Sequence, residues 1–199
     1  MTAVPIVLAS TSAIRAQLLA SALVPFTTRS PGVDEEAIKA AMLAEGAPPR
    51  DVADVLAETK AVRVSQKMDG LVIGADSTVE LDGALIDKAA SIEEARSRLK
   101  SFRGRSHALH SAVVVARDGQ PIWREVKTAR MHVRAFSDEW LEGYLAREGD
   151  AVLWSVGCYR LEGEGVQLFD RIDGDYFGIL GLPLTGLLDL LRRHGALET

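Results

Sequence analysis

Apolar residues along the chain follow two alternating rhythms: short unbroken runs, and stretches in which they recur every three or four positions. The run at 5–9 predicts a buried strand. A polar turn at 10–12 follows, and Leu18, Leu19 and Ala22 then keep helical spacing behind Ser12 as N-cap. A second strand is predicted over 27–30, ending at Pro31-Gly32. Asp34, Glu35 and Glu36 open a helix that stops near Gly46, and Pro48-Pro49 breaks the chain before a helix over 52–66. Residues 71–75 form an apolar strand ending at Asp76. Asp82-Gly83, set between two short apolar runs, predicts a tight hairpin.

Ser91 and Glu94 fit a capping box for a helix reaching Phe102. Long antiparallel strands are predicted at 110–116 and 122–135, around Asp118-Gly119. Ser137 caps a helix whose first turn carries Asp138 and Glu139, where negative charge is favoured. Two short strands are expected at 158–161 and 166–169. A last helix carries Leu184, Leu187, Leu188 and Leu191 behind Pro183. Helices and strands alternate early and antiparallel strands dominate later, so the expected fold is α/β with a mixed sheet. The turn at 104–110 is the expected internal division, without cutting the chain into independent domains.

Composition narrows the function. The chain has 199 residues, 47% hydrophobic and 26% charged, which suits one globular domain and excludes a disordered or fibrous chain. A net charge of −5 repels a phosphodiester polymer, so nucleic acid is not an expected partner. A small anion in a locally basic cleft remains open. Cys158 is the sole cysteine, which excludes an intrachain disulfide and points to a reducing, cytoplasmic setting. No apolar run approaches the ~20 residues that cross a bilayer, so no membrane association is expected. The opening residues lack the basic segment of a secretory signal.

Several polar residues break the local pattern, and each has a functional and a plain reading. Arg15 shares a helical stripe with Leu18, Leu19 and Ala22, close to Ser10, Ser12 and the free N–H groups of a helix N-terminus. These donors make an anion site, or Arg15 simply snorkels to water. Lys60 falls in the apolar stripe of Ala57, Ala61 and Val64, where an inward ammonium needs a partner or ligand; otherwise it reaches solvent at the stripe edge. Asp76, at the carboxyl end of a central strand, suits a metal or a proton transfer, or it is a strand-ending turn residue. The hairpin should return Lys88 toward Asp76, as a catalytic partner or a surface ion pair. Asp34, Glu35 and Glu36 suit a hard divalent cation, or they offset the helix dipole. His107 and His110 lack partners at zinc spacing, and Cys158 reads as an inert core thiol.

Short segments then recur in a familiar order: Leu-Ala-Ser-Thr-Ser-Ala-Ile-Arg at 8–15, Glu-Thr-Lys-Ala at 58–61, Gly-Ala-Asp-Ser-Thr-Val at 74–79, Lys88, Gly-Arg-Ser-His at 104–107, Gly-Cys-Tyr at 157–159, Glu162-Gly163 and Gly-Leu-Pro at 181–183. In this, nearly the whole chain resembles the Maf family of nucleotide pyrophosphatases, also labelled septum formation inhibitors. The resemblance implies a mixed twisted sheet with flanking helices and a deep cleft between two lobes, similar to the inosine triphosphate pyrophosphatases. It implies hydrolysis of a nucleoside triphosphate between the α and β phosphates, with Mg²⁺ or Mn²⁺ as cofactor and a homodimer as the assembly. By position, it assigns substrate binding to Ser10, Ser12 and Arg15, metal binding to Glu35 and Asp76, and catalysis to Asp76, Lys60 and Lys88. Three departures thin the expected charge: Ile14 replaces an arginine, Ala89 replaces the proline after Lys88, and Ser155-Val156-Gly157 replaces Lys-Ala-Gly.

The same resemblance offers two base specificities, dTTP and UTP or 7-methyl-GTP. Glu162, followed by a Gly-rich run to Phe169, is closer to the second. A carboxylate only accepts hydrogen bonds, which matches the N1–H and N2–H₂ edge of guanine and not the acceptors of uracil. Tyr159 is placed to stack on a cationic purine. Gly74-Ala75-Asp76-Ser77-Thr78-Val79 is closer to the pyrimidine subgroup. A nucleotide-binding regulator of septum formation is the alternative class; the two acids Glu35 and Asp76 favour an enzyme, since a pure anion binder does not need them.

Overall fold

A computed structural model describes residues 4–198. Its centre is a seven-stranded mixed sheet in the order β2-β1-β3-β5-β6-β7, with β4 also paired to β3. β1 (Ile6–Leu8) runs parallel to β2 (Thr27–Thr28) and to β3 (Leu71–Leu81), while β4 (Ala84–Ile86), β5 (Ser106–Arg117), β6 (Gln120–Val133) and β7 (Phe169–Asp173) join by antiparallel pairing. The α/β class and mixed sheet expected from the hydrophobic pattern are present. Both Asp-Gly hairpins are formed, with positive φ at Asp82, Gly83, Asp118 and Gly119 as a type I′ turn requires.

Helices cover the two faces of the sheet. α1 (Ala13–Ser21), α2 (Glu35–Ala44), α3 (Pro49–Ser65), α4 (Ile92–Phe102), α5 (Asp138–Glu148), α6 (Tyr176–Ile179) and α7 (Leu184–Arg193) follow in chain order. α3 lies close on one face because its inner row is small: Ala53, Ala57 and Ala61 pack on Ala112, Val114 and Ala116. Gly74 makes this approach possible, since a Cβ there would collide with the Ala57 carbonyl oxygen and come within 2.6 Å of the Ala61 nitrogen.

The opposite face carries two separate cores. In one, Leu18, Leu19, Leu184 and Leu187 cover Ile73, Ala75, Val113 and Val115. In the other, Leu99, Phe102, Leu141 and Tyr144 cover Val79, Leu109 and Met131. Along β3 the two are separated by Ser77, and along β5 by the buried Ser111. That polar break separates the two apolar cores on this face of the sheet. Truncating a fully buried leucine such as Leu19 in either core costs about 2–5 kcal/mol.

Four local expectations are corrected. β3 does not end at Asp76 but continues to Leu81, because β5 supplies pairing along its length from Val72 to Glu80. Residues 106–110, expected within a turn, open β5. Residues 158–161 are not a strand: Cys158 has φ +59°, incompatible with extended backbone. The strand expected at 166–169 is a 3₁₀ turn over Glu164–Leu168, and extended backbone begins at Phe169. The short helix α6, capped by Asp175 through the Gly178 N–H at 2.6 Å, was not signalled by periodicity.

Candidate active site

The site is built on a gap in the sheet. β1 leaves β3 after Leu8, with a last hydrogen bond from the Ala9 N–H to the Ile73 carbonyl at 2.8 Å. On the same edge β4 joins only at Val79. Between these points β3 pairs with β5 on one side and, among the described residues, has no strand on the other. Side chains in a strand alternate faces. Residues 76 and 77 therefore present their groups on either side of an open edge.

On the α3 side, Asp76 meets Lys60. Lys60 is 5% exposed and Asp76 8%, and Lys60 Nζ lies 2.6 Å from Asp76 Oδ1 and 2.9 Å from Glu35 Oε1. The helical stripe that pointed Lys60 inward thus brings it to the carboxylate at the gap. Glu35 reaches it from the first turn of α2, whose N-cap Asp34 accepts from the Ala37 N–H at 3.1 Å. A buried ion pair of this kind gains little net stability against its desolvation, but removing one partner strands the other.

On the other side, Arg15 is held at the head of α1. Its Nε donates to the Gly181 carbonyl at 2.9 Å, Nη2 to Ser77 Oγ at 3.4 Å and Nη1 to Ser10 Oγ at 3.5 Å. Ser10 Oγ also accepts from the Ser12 N–H at 3.1 Å, and Ser12 caps α1 through the Arg15 N–H. Burial lowers the Arg15 pKa from its usual value, and the charges of Asp76 and Glu35 oppose that shift. Gly181, at φ +96°, brings its carbonyl to Arg15. Ser77 Oγ is linked to Ser111 Oγ at 2.9 Å. Ser111 was missed in the sequence, although a lone serine inside the apolar run of β5 was a readable signal.

A family profile described as Maf-like protein matches residues 5–194. The chain belongs to the Maf family. It is 64% identical over 197 residues to a nucleoside triphosphate pyrophosphatase of Caulobacter vibrioides, covering 99% of each chain. It is 52% identical over 197 residues to a nucleoside triphosphate pyrophosphatase of Ruegeria pomeroyi, covering 98% of this chain and 99% of that one. It is 47% identical over 196 residues to a 7-methyl-GTP pyrophosphatase of Brucella suis biovar 1, covering 98% of each.

The remaining residues assigned through the Maf resemblance make no hydrogen bond or ion pair with Arg15, Lys60 or Asp76 among the described residues. Lys88, two residues past the end of β4, is exposed and forms no ion pair with Asp76 among the described residues. Its neighbour Asp87 instead ties to Lys39 of α2 at 2.6 Å. Tyr159 is buried, its ring edge-on to Phe169 and its hydroxyl hydrogen-bonded to His107 Nε2 at 2.8 Å. Glu162 is exposed and pairs with Arg160 Nε at 3.3 Å.

The donor set suits a hard divalent cation held jointly with a substrate. No group of three or more acidic, His or Cys side chains able to hold a metal occurs among the described residues. Glu35 and Asp76 nevertheless converge on one ammonium position, and Mg²⁺ is commonly held by one or two carboxylates together with substrate phosphates and water. Among the described residues no helix is long and apolar enough to cross a membrane.

Proposed function

We propose that this protein hydrolyses nucleoside triphosphates between the α and β phosphates, releasing a nucleoside monophosphate and pyrophosphate. The observation that carries the reading is the buried Lys60 bridging Glu35 and Asp76 at the open edge of β3, with Arg15 on the other face of the same strand. The names of the Caulobacter and Ruegeria relatives support the reaction class.

The chain's own groups divide the work. Arg15, Ser10, Ser12 and the first N–H groups of α1 position phosphate oxygens and offset their charge. Lys60 contributes a second, buried positive charge, and its hydrogen bond holds Asp76 in place. Asp76 orients a water and takes its proton; the water oxygen bonds to the α phosphorus, and the bond from that phosphorus to the bridging oxygen breaks, with the electron pair leaving on pyrophosphate. Mg²⁺ or Mn²⁺, held by Glu35 and Asp76, would neutralise phosphate charge and lower the pKa of bound water. Near-in-line attack needs positioning more than covalent help, and a rigid strand edge suits that demand.

For the base, we favour 7-methyl-GTP. Glu162 is an exposed acceptor able to exchange Arg160 for the donor edge of guanine, and the Brucella relative carries that substrate in its name. Tyr159, packed beneath the same loop, shapes it from inside. The test is pyrophosphate release with Mg²⁺ or Mn²⁺ over 7-methyl-GTP, GTP, UTP, dTTP and CTP, with wild type and Glu162→Gln. Fast 7-methyl-GTP turnover that moves toward UTP in the variant supports both parts. Fast UTP and dTTP turnover in the wild type overturns the base assignment alone. Nucleotide binding without any turnover overturns the enzyme and leaves a nucleotide-binding regulator.

A further inference from the structure

Three cations outside the catalytic cluster line a pocket of about 160 Å³. Arg29 and Ser30 line it from the chain after β2, and Arg63 and Lys67 from the end of α3. Arg29, Arg63 and Lys67 are exposed, and none of them forms an ion pair among the described residues. Most lysines and arginines elsewhere do form one, in a chain of net charge −5. Three unpaired cations around one concavity are therefore a local reversal of the protein's charge.

The pocket is anchored. Val64 and Met68 line it, and Val64 is buried against Val7, Ala9 and Val72. Arg29 is tied to the sheet by its N–H to the Leu8 carbonyl at 2.9 Å. The pocket also continues the catalytic site. Arg63 is three residues past Lys60 on α3, so the two project on one side of the helix axis. Lys67 lies in the turn closing that helix, its N–H bonded to the Val64 carbonyl at 3.0 Å. The loop bearing Arg29 and Ser30 leads within five residues to Glu35, which touches Lys60. Positive charge thus runs from a buried lysine beside Asp76 outward to an exposed pocket.

We infer that this pocket is a second anion site, for inorganic pyrophosphate. Its place in catalysis, as the station through which the leaving group departs, rests on the reaction proposed above; its capacity to bind does not. Three unpaired cations lining one pocket match a multiply charged anion better than a monoanion, and Ser30 in the same lining adds a hydrogen-bonding hydroxyl.

The test is calorimetric titration of the full chain with inorganic pyrophosphate, and separately with inorganic phosphate, at fixed ionic strength. It compares wild type with the triple variant Arg29→Gln, Arg63→Gln, Lys67→Gln, with circular dichroism confirming that both fold. The expected result is pyrophosphate binding at least tenfold weaker in the variant, with phosphate weak in both. A second arm measures pyrophosphate inhibition of turnover, expected to be relieved in the variant. Identical pyrophosphate isotherms in the two proteins overturn the site. Phosphate binding as tight as pyrophosphate in the wild type also overturns it, because the pocket then selects no polyanion. Because the titration needs no turnover, weakened binding by the variant of an inactive protein would refute the proposed reaction and keep the site.

Discussion

Asp76 and Ser77 are neighbours on one strand, yet their side chains serve opposite faces: Asp76 is bound to Lys60 on the α3 side, and Ser77 to Arg15 and Ser111 on the other. Only a ligand lying across the open edge of β3 can reach both. That edge exists because β1 stops pairing after Leu8 and β4 begins only opposite Val79. A triphosphate laid there meets the Arg15 and Ser10 donors on one flank and the carboxylates on the other.

Asp76→Asn tests the role of the carboxylate as proton acceptor. The amide keeps the shape and can still bond Lys60, whose second partner Glu35 remains. Turnover should fall by about 10²–10⁴-fold, the range of general-base catalysis, while nucleotide binding persists. Pyrophosphate release measured beside nucleotide titration gives the answer. Turnover within a few-fold of wild type would remove Asp76 from the chemistry.

Gly74→Ala probes how α3 positions Lys60. The added methyl would meet the Ala57 carbonyl and the Ala61 nitrogen, both backbone groups of α3 that cannot rotate away. The helix must move off the sheet, carrying Lys60 from Asp76. The expected cost is about 1–3 kcal/mol of stability, with loss of activity at temperatures where the variant is still folded. A variant with full activity and unchanged melting temperature would mean that the α3–β3 spacing is not critical.

Much of this arrangement was legible in the sequence, and the misses share a cause. Lys60 could be placed inward because its stripe is otherwise alanine and valine, and Arg15 could be placed beside Ser10 because both belong to one helix head. Periodicity does not report strand partners, so the run to Ala75 looked finished at Asp76 although β5 pairs with it to Glu80. The Asp82-Gly83 turn could be read as a hairpin, but periodicity did not report that its pairing stops at Ile86, two residues before Lys88. The apolar stretch around Cys158 looked like strand, and a positive φ at a non-glycine residue cannot be read from composition. Tyr159, expected toward a base, is taken up by His107 through tertiary packing 52 residues away.

Metal removal should abolish activity without unfolding the protein. Glu35 and Asp76 already share the Lys60 ammonium, so their charge is partly balanced when no cation is bound. After chelation, turnover should be lost and return on adding Mg²⁺ or Mn²⁺, while the melting temperature without nucleotide shifts by no more than about 2 °C, a change of at most roughly 1 kcal/mol for a chain of this size. A large fall in melting temperature on chelation would instead indicate a structural metal.

The loop bearing Glu162 should carry a pH-dependent weakness through His107. This residue is 3% exposed, stacked on Phe102, and has no hydrogen-bond partner at Nδ1 among the described residues. Burial lowers its pKa from 6.5 to about 4. The unfolded chain therefore takes up a proton near pH 6.5, whereas the folded protein refuses it until about pH 4. Stability from this group is complete above pH 6.5 and declines as pH falls toward 4, by about 3 kcal/mol in total. His107→Gln keeps a polar partner for the Tyr159 hydroxyl but cannot titrate. Urea unfolding at pH 7.5 and 5.0 should show wild type losing about 2 kcal/mol more than the variant over that interval, since other groups contribute equally to both. Equal losses in the two proteins would show that His107 accepts its proton in the folded state and that the Tyr159 contact survives as a charged one.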